Sequence, residues 1–250
     1  MIVAGIQMDI VWEDREANLN KASLLADEAS DNGADTLVFP EMFSTGFSMD
    51  TDKTAETREG ATYRFLKETA TQNGLWVVAG LVLKNTKGKP SNDCCVIDPE
   101  GREKGLYSKN KLFRYGKEHH FYQPGTSTET LLLNGIKSSL FICFDLRYPG
   151  LIRETAYNTH ACFIIASWPE PRTMHWETLL RARAIENQMF VIGINRTGPG
   201  RDLSYSGHSA VISPTGEYLA KAGSNEEIIY ADINPESVVK TRRKWPFLKE

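Results

Sequence analysis

The stretch 140–149 constrains the fold of this chain more than any other. Its first three residues, Leu-Phe-Ile, are apolar and predict a buried strand that ends at Cys143. Polar and turn-forming residues follow, and the segment from Pro149 to about His160 predicts a helix. Cys143 is therefore expected at the carboxyl end of a strand, on the turn into a helix, where open α/β sheets expose functional side chains.

A cysteine at such a turn has two interpretations. Unpaired cysteine is among the most buried residue types and packs as a small hydrophobe, so the position alone fits a core residue equally well. The polar neighbours Asp145 and Arg147 favour a chemical role for the Cys143 thiol. We expect Asp145 and Arg147 to form an ion pair that fixes the turn.

Length and composition fit a single soluble domain. The chain has 250 residues, of which 41% are hydrophobic and 24% charged, as in ordinary globular enzymes. Its formal net charge of -3 gives no support for a nucleic-acid or membrane partner. We expect one domain over 1–250 with an irregular C-terminal tail at about 234–250. The basic run 240–244 in that tail is expected to be solvated or to face another subunit.

The chain start and the cysteines favour a cytoplasmic location. The first residues lack the charged and long apolar segments of a signal peptide, and no apolar stretch approaches the roughly 20 residues that span a bilayer. The cysteines show neither metal-ligand spacing nor the density of a disulfide framework, so we expect reduced thiols and no metal. Three of them lie in predicted strands and are expected in the core: Cys94, Cys95 and Cys162.

Strands and helices alternate in both halves of the chain. Apolar residues at helical spacing predict helices at about 18–30, 61–73 and 176–188. Apolar runs predict strands that include 36–39, 75–83, 161–166 and 190–194. A turn at Pro214 predicts a hairpin, and such hairpins favour sheets covered by helices over an eightfold barrel. Periodicity therefore predicts an α/β fold, with a loop at 118–125.

Three polar residues at or near predicted strand ends form a chemically coherent set: Glu41, Lys109 and Cys143. A nearby ammonium lowers the pKa of a thiol, and a carboxylate within reach takes its proton as a general base. The same lysine can hold the negative charge that develops on a carbonyl oxygen under attack. The set predicts acyl transfer through a cysteinyl thioester, without a cofactor.

The residues around this set resemble the nitrilase superfamily of carbon–nitrogen hydrolases. The matching segments follow the family's order along nearly the whole chain: 5–7, 39–41, 107–113, 143–149, 181–187 and 193–196. The resemblance implies an αββα four-layer sandwich, a homodimer, and catalysis by Glu41, Lys109 and Cys143. It also implies that Glu118 positions the lysine and substrate, and that the backbone N–H of Phe144 shares the oxyanion with Lys109.

Two positions depart from the family pattern. Lys111 stands where many relatives have His, and Phe144 stands where many have Tyr. Neither departure affects the three core roles, and the motif register selects Lys109 over Lys111 as the catalytic lysine.

Within the superfamily the chain looks most like the ω-amidases, which hydrolyse the terminal amide of 2-oxoglutaramate and 2-oxosuccinamate. The segments that carry this likeness are Trp12, Asn18, 166–169, Arg172 and 175–177. Those substrates end in an α-keto acid, so we expect Arg172 to bind the carboxylate and Trp168 to form a pocket wall.

Several alternatives stay open. Arg172 fits a solvated loop residue equally well, and Trp168 fits a core aromatic. His119 and His120 are expected to line a pocket or lie at the surface, because no third ligand is spaced to join them on a metal. The substrate is alternatively deaminated glutathione or an N-carbamoyl compound. A non-catalytic binding module on the same fold is the alternative from another class.

Overall fold

The computed structural model of the chain describes residues 1–249 and contains two six-stranded sheets. Its strands in chain order are β1 Ile2–Gln7, β2 Thr36–Val38, β3 Trp76–Leu83, β4 Ser91–Ile97, β5 Glu103–Ser108, β6 Glu129–Leu133, β7 Ile136–Ile142, β8 Ala161–Ala166, β9 Phe190–Asn195, β10 Thr197–Pro199, β11 Ser204–Ser206, β12 Ala210–Ile212, β13 Tyr218–Lys221 and β14 Glu227–Asp232. The first sheet has the order β14-β1-β2-β3-β4-β5, and the second has the order β13-β12-β9-β8-β7-β6. Strands β10 and β11 form a separate pair.

Seven α-helices accompany these strands in the described chain: α1 Arg15–Asp31, α2 Thr51–Thr54, α3 Ala61–Asn73, α4 Glu118–Phe121, α5 Pro149–Ala156, α6 Thr173–Asn187 and α7 Pro235–Lys244. The side chain of Asp14 caps α1 by accepting a hydrogen bond from the Ala17 N–H, at 3.0 Å. Helix α3 ends at Gly74, whose φ of 66° is a left-handed conformation that favours glycine.

Strand β4 shows how the layers are built, because its side chains alternate between two cores. Cys94 and Val96 pack in the core between the two sheets, whereas Cys95 and Ile97 pack with α1 and α3 in the core on the other face. Helices α5 and α6 cover the outer face of the second sheet. The result is the expected αββα four-layer sandwich in a single domain.

The strand directions bring several chain segments to one edge of the sandwich. Strands β1, β2 and β3 are parallel, and β5 regains their direction after the antiparallel β4. The carboxyl ends of β2 and β5 therefore meet the start of β4 at one edge of the first sheet. In the second sheet β7, β8 and β9 are parallel, so their carboxyl ends also share an edge.

Two segments are more regular than expected. The predicted loop at 118–125 begins with the single turn α4, which starts after Lys117 in a left-handed conformation (φ 59°). The tail expected to be irregular contains α7, which Asn234 caps by accepting from the Glu236 N–H at 2.9 Å. Proline at the first position of α7 and Val238 buried against the core favour this helix. Within the described chain, no helix is long and apolar enough to cross a membrane.

Candidate active site

Cys143 lies where the sequence places it, between β7 and the turn into α5. It has a φ of 47° and begins a 3₁₀ turn that ends at Arg147. The Asp145 carboxylate holds this turn by accepting from the N–H groups of Ile142 (3.0 Å) and Lys111 (2.8 Å) and from the Tyr107 hydroxyl (2.8 Å). The strained conformation is therefore fixed by contacts within the turn and with the segment after β5.

The expected ion pair between Asp145 and Arg147 is wrong. Asp145 is fully buried, whereas the Arg147 guanidinium lies 4.8 Å from the centre of the Trp168 ring. Arg147 also donates to Nδ1 of His175, at 3.0 Å. A 3₁₀ helix has three residues per turn, so side chains two apart point to different sides. Asp145 fixes the turn through donors other than arginine.

Glu41, Lys109 and Glu118 form one buried cluster. The Lys109 Nζ lies 2.8 Å from Glu41 Oε1 and 3.1 Å from Glu118 Oε1, and the charged ends of all three side chains are fully buried. Burial disfavours the charged ammonium, but the carboxylates of Glu118 and Glu41 outweigh this and raise the pKa of Lys109. Lys109 is therefore a fixed cation next to the Cys143 turn.

The cluster has further donors around it. The Asn92 Nδ2 donates to Glu41 Oε1 at 2.7 Å and to Glu118 Oε1 at 3.1 Å. The Ser167 N–H, just after β8, donates to Glu41 Oε2 at 2.8 Å. The Phe113 N–H donates to the second oxygen of Glu118. Both carboxylates are thus held at both oxygens.

Gly80 on β3 gives Glu41 room to reach this position. A Cβ at Gly80 would lie 2.6 Å from the Cα of Glu41 and 2.7 Å from the backbone nitrogen of Met42. Real Cβ atoms do not approach backbone atoms so closely, so only glycine lets the segment after β2 pass here.

The surroundings of the Cys143 thiol favour its protonated form. Burial raises its pKa first and the nearby Glu41 carboxylate adds to this rise, while Lys109 opposes it. A thiol with a raised pKa needs a base at the moment of attack. Glu41 is the carboxylate whose charge acts most strongly on the thiol.

Cys143 opens into a cleft of about 420 Å³, a volume that includes the open mouth. The cleft is lined by Phe47, Lys109, Phe113, Cys143, Phe144, Arg147, Ser167, Trp168, Pro169, Arg172, Leu203 and Tyr205. It therefore contains the thiol, the buried lysine and two guanidinium groups together.

The predicted substrate contacts all lie in this cleft. Trp168 forms a wall and is itself nearly buried, with its indole N–H donating to the Arg172 carbonyl at 2.8 Å. The Arg172 guanidinium lies 5.5 Å from the centre of the Phe113 ring. The ring of Phe144 packs edge-on against the Phe113 ring, with 5.2 Å between the ring centres. The oxyanion role of the Phe144 N–H stays a prediction.

Lys111 and the two histidines lie outside this cleft. Lys111 lines a separate surface groove with His119, and its ammonium lies 5.3 Å from the centre of the Tyr148 ring. The rings of His119 and His120 are 4.0 Å apart on α4. Within residues 1–249, no group of three or more His, Cys, Asp and Glu side chains is placed to hold a metal ion.

A family model described as carbon-nitrogen hydrolase matches residues 2–243. This chain belongs to the carbon–nitrogen hydrolase family. A 2-oxoglutaramate amidase of Bacillus subtilis (strain 168) is 36% identical over 98% of this chain and 95% of its own length. An omega-amidase of Escherichia coli (strain K12) is 33% identical over 96% of this chain and 93% of its own length.

A solved carbon–nitrogen hydrolase agrees with the fold. The crystal structure of a CN-hydrolase superfamily protein from Xanthomonas campestris, with an arsenic adduct in its active site, superposes with a TM-score of 0.94. It is 29% identical and covers 100% of this chain and 96% of that chain. The α/β sandwich of this hydrolase is therefore that of its family.

Two residues of this hydrolase site were not predicted from the sequence. Asn92 stands between Ser91 and Asp93 in the polar first part of β4, across from the position of Lys109, and no sequence pattern separates it from these polar neighbours. The Lys109 N–H donates to the Asn92 carbonyl at 2.9 Å, as the strand register requires. Ser167 contributes its backbone N–H, which no sequence pattern specifies.

Proposed function

We propose that this hydrolase is a thiol amidase for a small α-keto acid amide, either 2-oxoglutaramate or 2-oxosuccinamate. It releases ammonia and the free acid through a thioester on Cys143. The observation that carries the proposal is the cleft itself, where Cys143 lies between a buried lysine–carboxylate cluster and two arginines. The names of the full-length relatives from Bacillus subtilis and Escherichia coli support the same substrate class.

The first half of the reaction forms the thioester. Cys143 Sγ attacks the amide carbon while its proton passes to Glu41, and the carbonyl electrons move to the oxygen. The Lys109 ammonium and the Phe144 N–H stabilise that oxyanion. The carbon–nitrogen bond then breaks, and the proton on Glu41 is delivered to the departing nitrogen as ammonia forms.

The second half releases the acid. Glu41, again ionised, takes a proton from a water molecule as the water oxygen attacks the thioester carbon. The carbon–sulfur bond breaks, and the proton returns to Sγ. Glu118 keeps Lys109 in place throughout, because its Oε1 accepts from Nζ at 3.1 Å and its charge favours the ammonium.

The α-keto acid end of the substrate would lie against Arg147 and Arg172. Both guanidinium groups line the cleft, and within residues 1–249 they contact His175 and aromatic rings rather than a carboxylate. Burial and the charge of Arg172 lower the pKa of Arg147, which is the direction expected for two cations sharing one cleft. A substrate carboxylate would neutralise this charge, and guanidinium groups bind planar carboxylates well.

A panel of amides tests the substrate class. Ammonia release is measured from 2-oxoglutaramate, 2-oxosuccinamate, glutamine, propionamide, deaminated glutathione and an N-carbamoyl amino acid. The proposal expects the keto acid amides to have the highest kcat/KM. A higher kcat/KM for deaminated glutathione or the N-carbamoyl compound would overturn the substrate assignment, and inertness toward every amide would favour a binding module.

We also propose that the protein acts as a cytoplasmic homodimer. Ile185 on α6 and Tyr218 on β13 are exposed and line one surface groove, which supports a protein partner on this side. All four cysteines are unpaired thiols, which supports a reducing compartment. Light scattering should give twice the chain mass of 28.1 kDa, whereas a monomer at micromolar concentration would contradict the dimer.

A further inference from the structure

Asn92 completes a closed ring of hydrogen bonds with the charged cluster. Its Nδ2 donates to Glu41 Oε1 (2.7 Å) and Glu118 Oε1 (3.1 Å). The Lys109 Nζ donates to the same two oxygens, at 2.8 and 3.1 Å. Two donors and two acceptors therefore alternate around the ring, and both N–H bonds of the amide are used.

The orientation of the Asn92 amide follows from its surroundings. If oxygen and nitrogen were exchanged, the amide oxygen would face two carboxylate oxygens without a proton between them. The Asn92 Oδ1 is buried and has no hydrogen-bond partner among residues 1–249. A buried acceptor without a partner costs free energy, so Oδ1 does not favour this orientation. The amide is held in the cluster by the two hydrogen bonds that Nδ2 donates.

The ring makes the two oxygens of Glu41 unequal. Oε1 accepts two hydrogen bonds, from Lys109 and Asn92, which is the usual capacity of a carboxylate oxygen. Among the described residues Oε2 accepts only one, from the Ser167 N–H at 2.8 Å, and so keeps a free lone pair. Ser167, whose N–H donates to Oε2, lines the same cleft as Cys143, and its backbone N–H also lowers the pKa of the Cys143 thiol. Oε2 and the thiol therefore share Ser167 as a neighbour.

We propose that Asn92 is a positioning residue that fills Oε1 of Glu41 and thereby assigns the transfer of the thiol proton to Oε2. The Sγ–H bond breaks, the proton joins Oε2, and the Sγ electron pair forms the bond to the amide carbon. Because Asn92 is neutral, it supplies this hydrogen bond without adding a charge to the two acids and one lysine. This inference rests on the proposed thiol mechanism and adds the atom that receives the proton.

The variant Asn92→Asp tests this role, because it keeps the shape and replaces the donor with a third acid. Its kcat should fall roughly 100-fold at pH 7, the scale of a lost general base. The acid limb of its pH profile should move up by about one unit or more, because neighbouring carboxylates hold a proton more tightly. KM should change less than about threefold, because Asn92 does not line the cleft.

Two further variants separate positioning from folding. Asn92→Ser removes both amide hydrogen bonds without adding charge, and its kcat should fall by about tenfold, the value of the hydrogen bond to Glu41. Asn187→Asp is the matched control, because Asn187 is also buried with an unpartnered Oδ1 but lies on α6, where its Nδ2 donates to the Arg183 carbonyl at 3.0 Å and to Glu186 Oε1 at 3.5 Å. This control should lose thermal stability and keep the wild-type pH profile.

Alkylation by iodoacetamide gives a readout that needs no substrate. Cys143 is the one cysteine of the four that is not fully buried, so the reaction reports its deprotonation. In Asn92→Asp the pH midpoint of alkylation should rise, whereas in Asn187→Asp it should not. If the pH midpoint of alkylation rises in Asn92→Asp but the wild type hydrolyses no amide, the role of Asn92 stands and the proposed function is wrong. The opposite result is that the wild type hydrolyses the amides while the folded Asn92 variants keep the wild-type kcat and the wild-type pH midpoint of alkylation. That result would overturn the role of Asn92 and leave the proposed function intact.

Discussion

Lys109 Nζ lies 2.8 Å from Glu41 Oε1, although the two residues are 68 positions apart in the sequence. The contact exists because β2 and β5 run in the same direction and end at the same edge of one sheet. The edge of the second sheet adds Cys143 and Ser167 from the ends of β7 and β8. The grouping of these four residues is therefore a consequence of strand direction in both sheets.

The first prediction concerns Gly80, which lets the backbone of Glu41 pass close to β3. Gly80→Ala should lower both stability and kcat, because its Cβ would meet backbone atoms of Glu41 and Met42 that cannot rotate away. Thermal melts and amide hydrolysis check this. Gly150→Ala is the control, since a Cβ there meets nothing within 4 Å and alanine favours a helix. Equal effects of the two substitutions would contradict the close-approach argument.

The second prediction concerns the two cleft arginines. Arg172→Ala and Arg147→Ala should each raise KM for 2-oxoglutaramate by about tenfold or more, the value of a charge-assisted hydrogen bond. The ratio of kcat/KM for 2-oxoglutaramate to that for propionamide should fall, because propionamide has no carboxylate. Arg64→Ala on the exposed face of α3 is the control and should leave this ratio unchanged. An unchanged KM in both cleft variants would remove the carboxylate site.

The third prediction concerns Asp93, a buried acid on β4 that accepts from the hydroxyls of Ser91 and Ser108. Burial raises the pKa of Asp93 from 3.8 to about 6. Between these values the folded state holds a proton that the unfolded state has released, so stability falls as pH rises. The pKa difference between 3.8 and about 6 corresponds to a loss of about 3 kcal/mol at most in the free energy of unfolding.

Asp93→Asn has no such proton, so its stability relative to wild type should increase as the pH rises from about 4 to about 7. Urea unfolding of both proteins at intervals across this range measures the change. A constant difference between the two proteins would show that Asp93 does not titrate in this window.

Local sequence patterns were enough to predict much of the fold. The apolar run before Cys143 identified β7, and the helix predicted at 61–73 is α3 with the same bounds. These elements are specified by residues that are neighbours in the sequence. The four-layer arrangement and the roles of Glu118 and Phe144 came from the family resemblance, because periodicity does not determine which sheet faces which.

The contacts that the sequence did not reveal depend on distant residues. Asn92 lies 51 positions from Glu41, and a polar residue between two others in a buried strand does not identify its partner. Asp145 and Arg147 looked like an ion pair because they are close in sequence, yet two of the three donors to Asp145 are Tyr107 and Lys111, which lie more than 30 positions away. A local pattern cannot specify donors from a strand elsewhere in the fold.

In the proposed thioester mechanism, Cys143 carries the acyl group of the substrate during turnover. Rapid acid quenching of the protein with 2-oxoglutaramate, followed by intact and peptide mass spectrometry, tests it directly. We expect a mass increase equal to the acyl part of the substrate on the Cys143 peptide, and no adduct and no ammonia release in a folded Cys143→Ala protein. Ammonia release by Cys143→Ala at the wild-type rate would contradict the thioester mechanism.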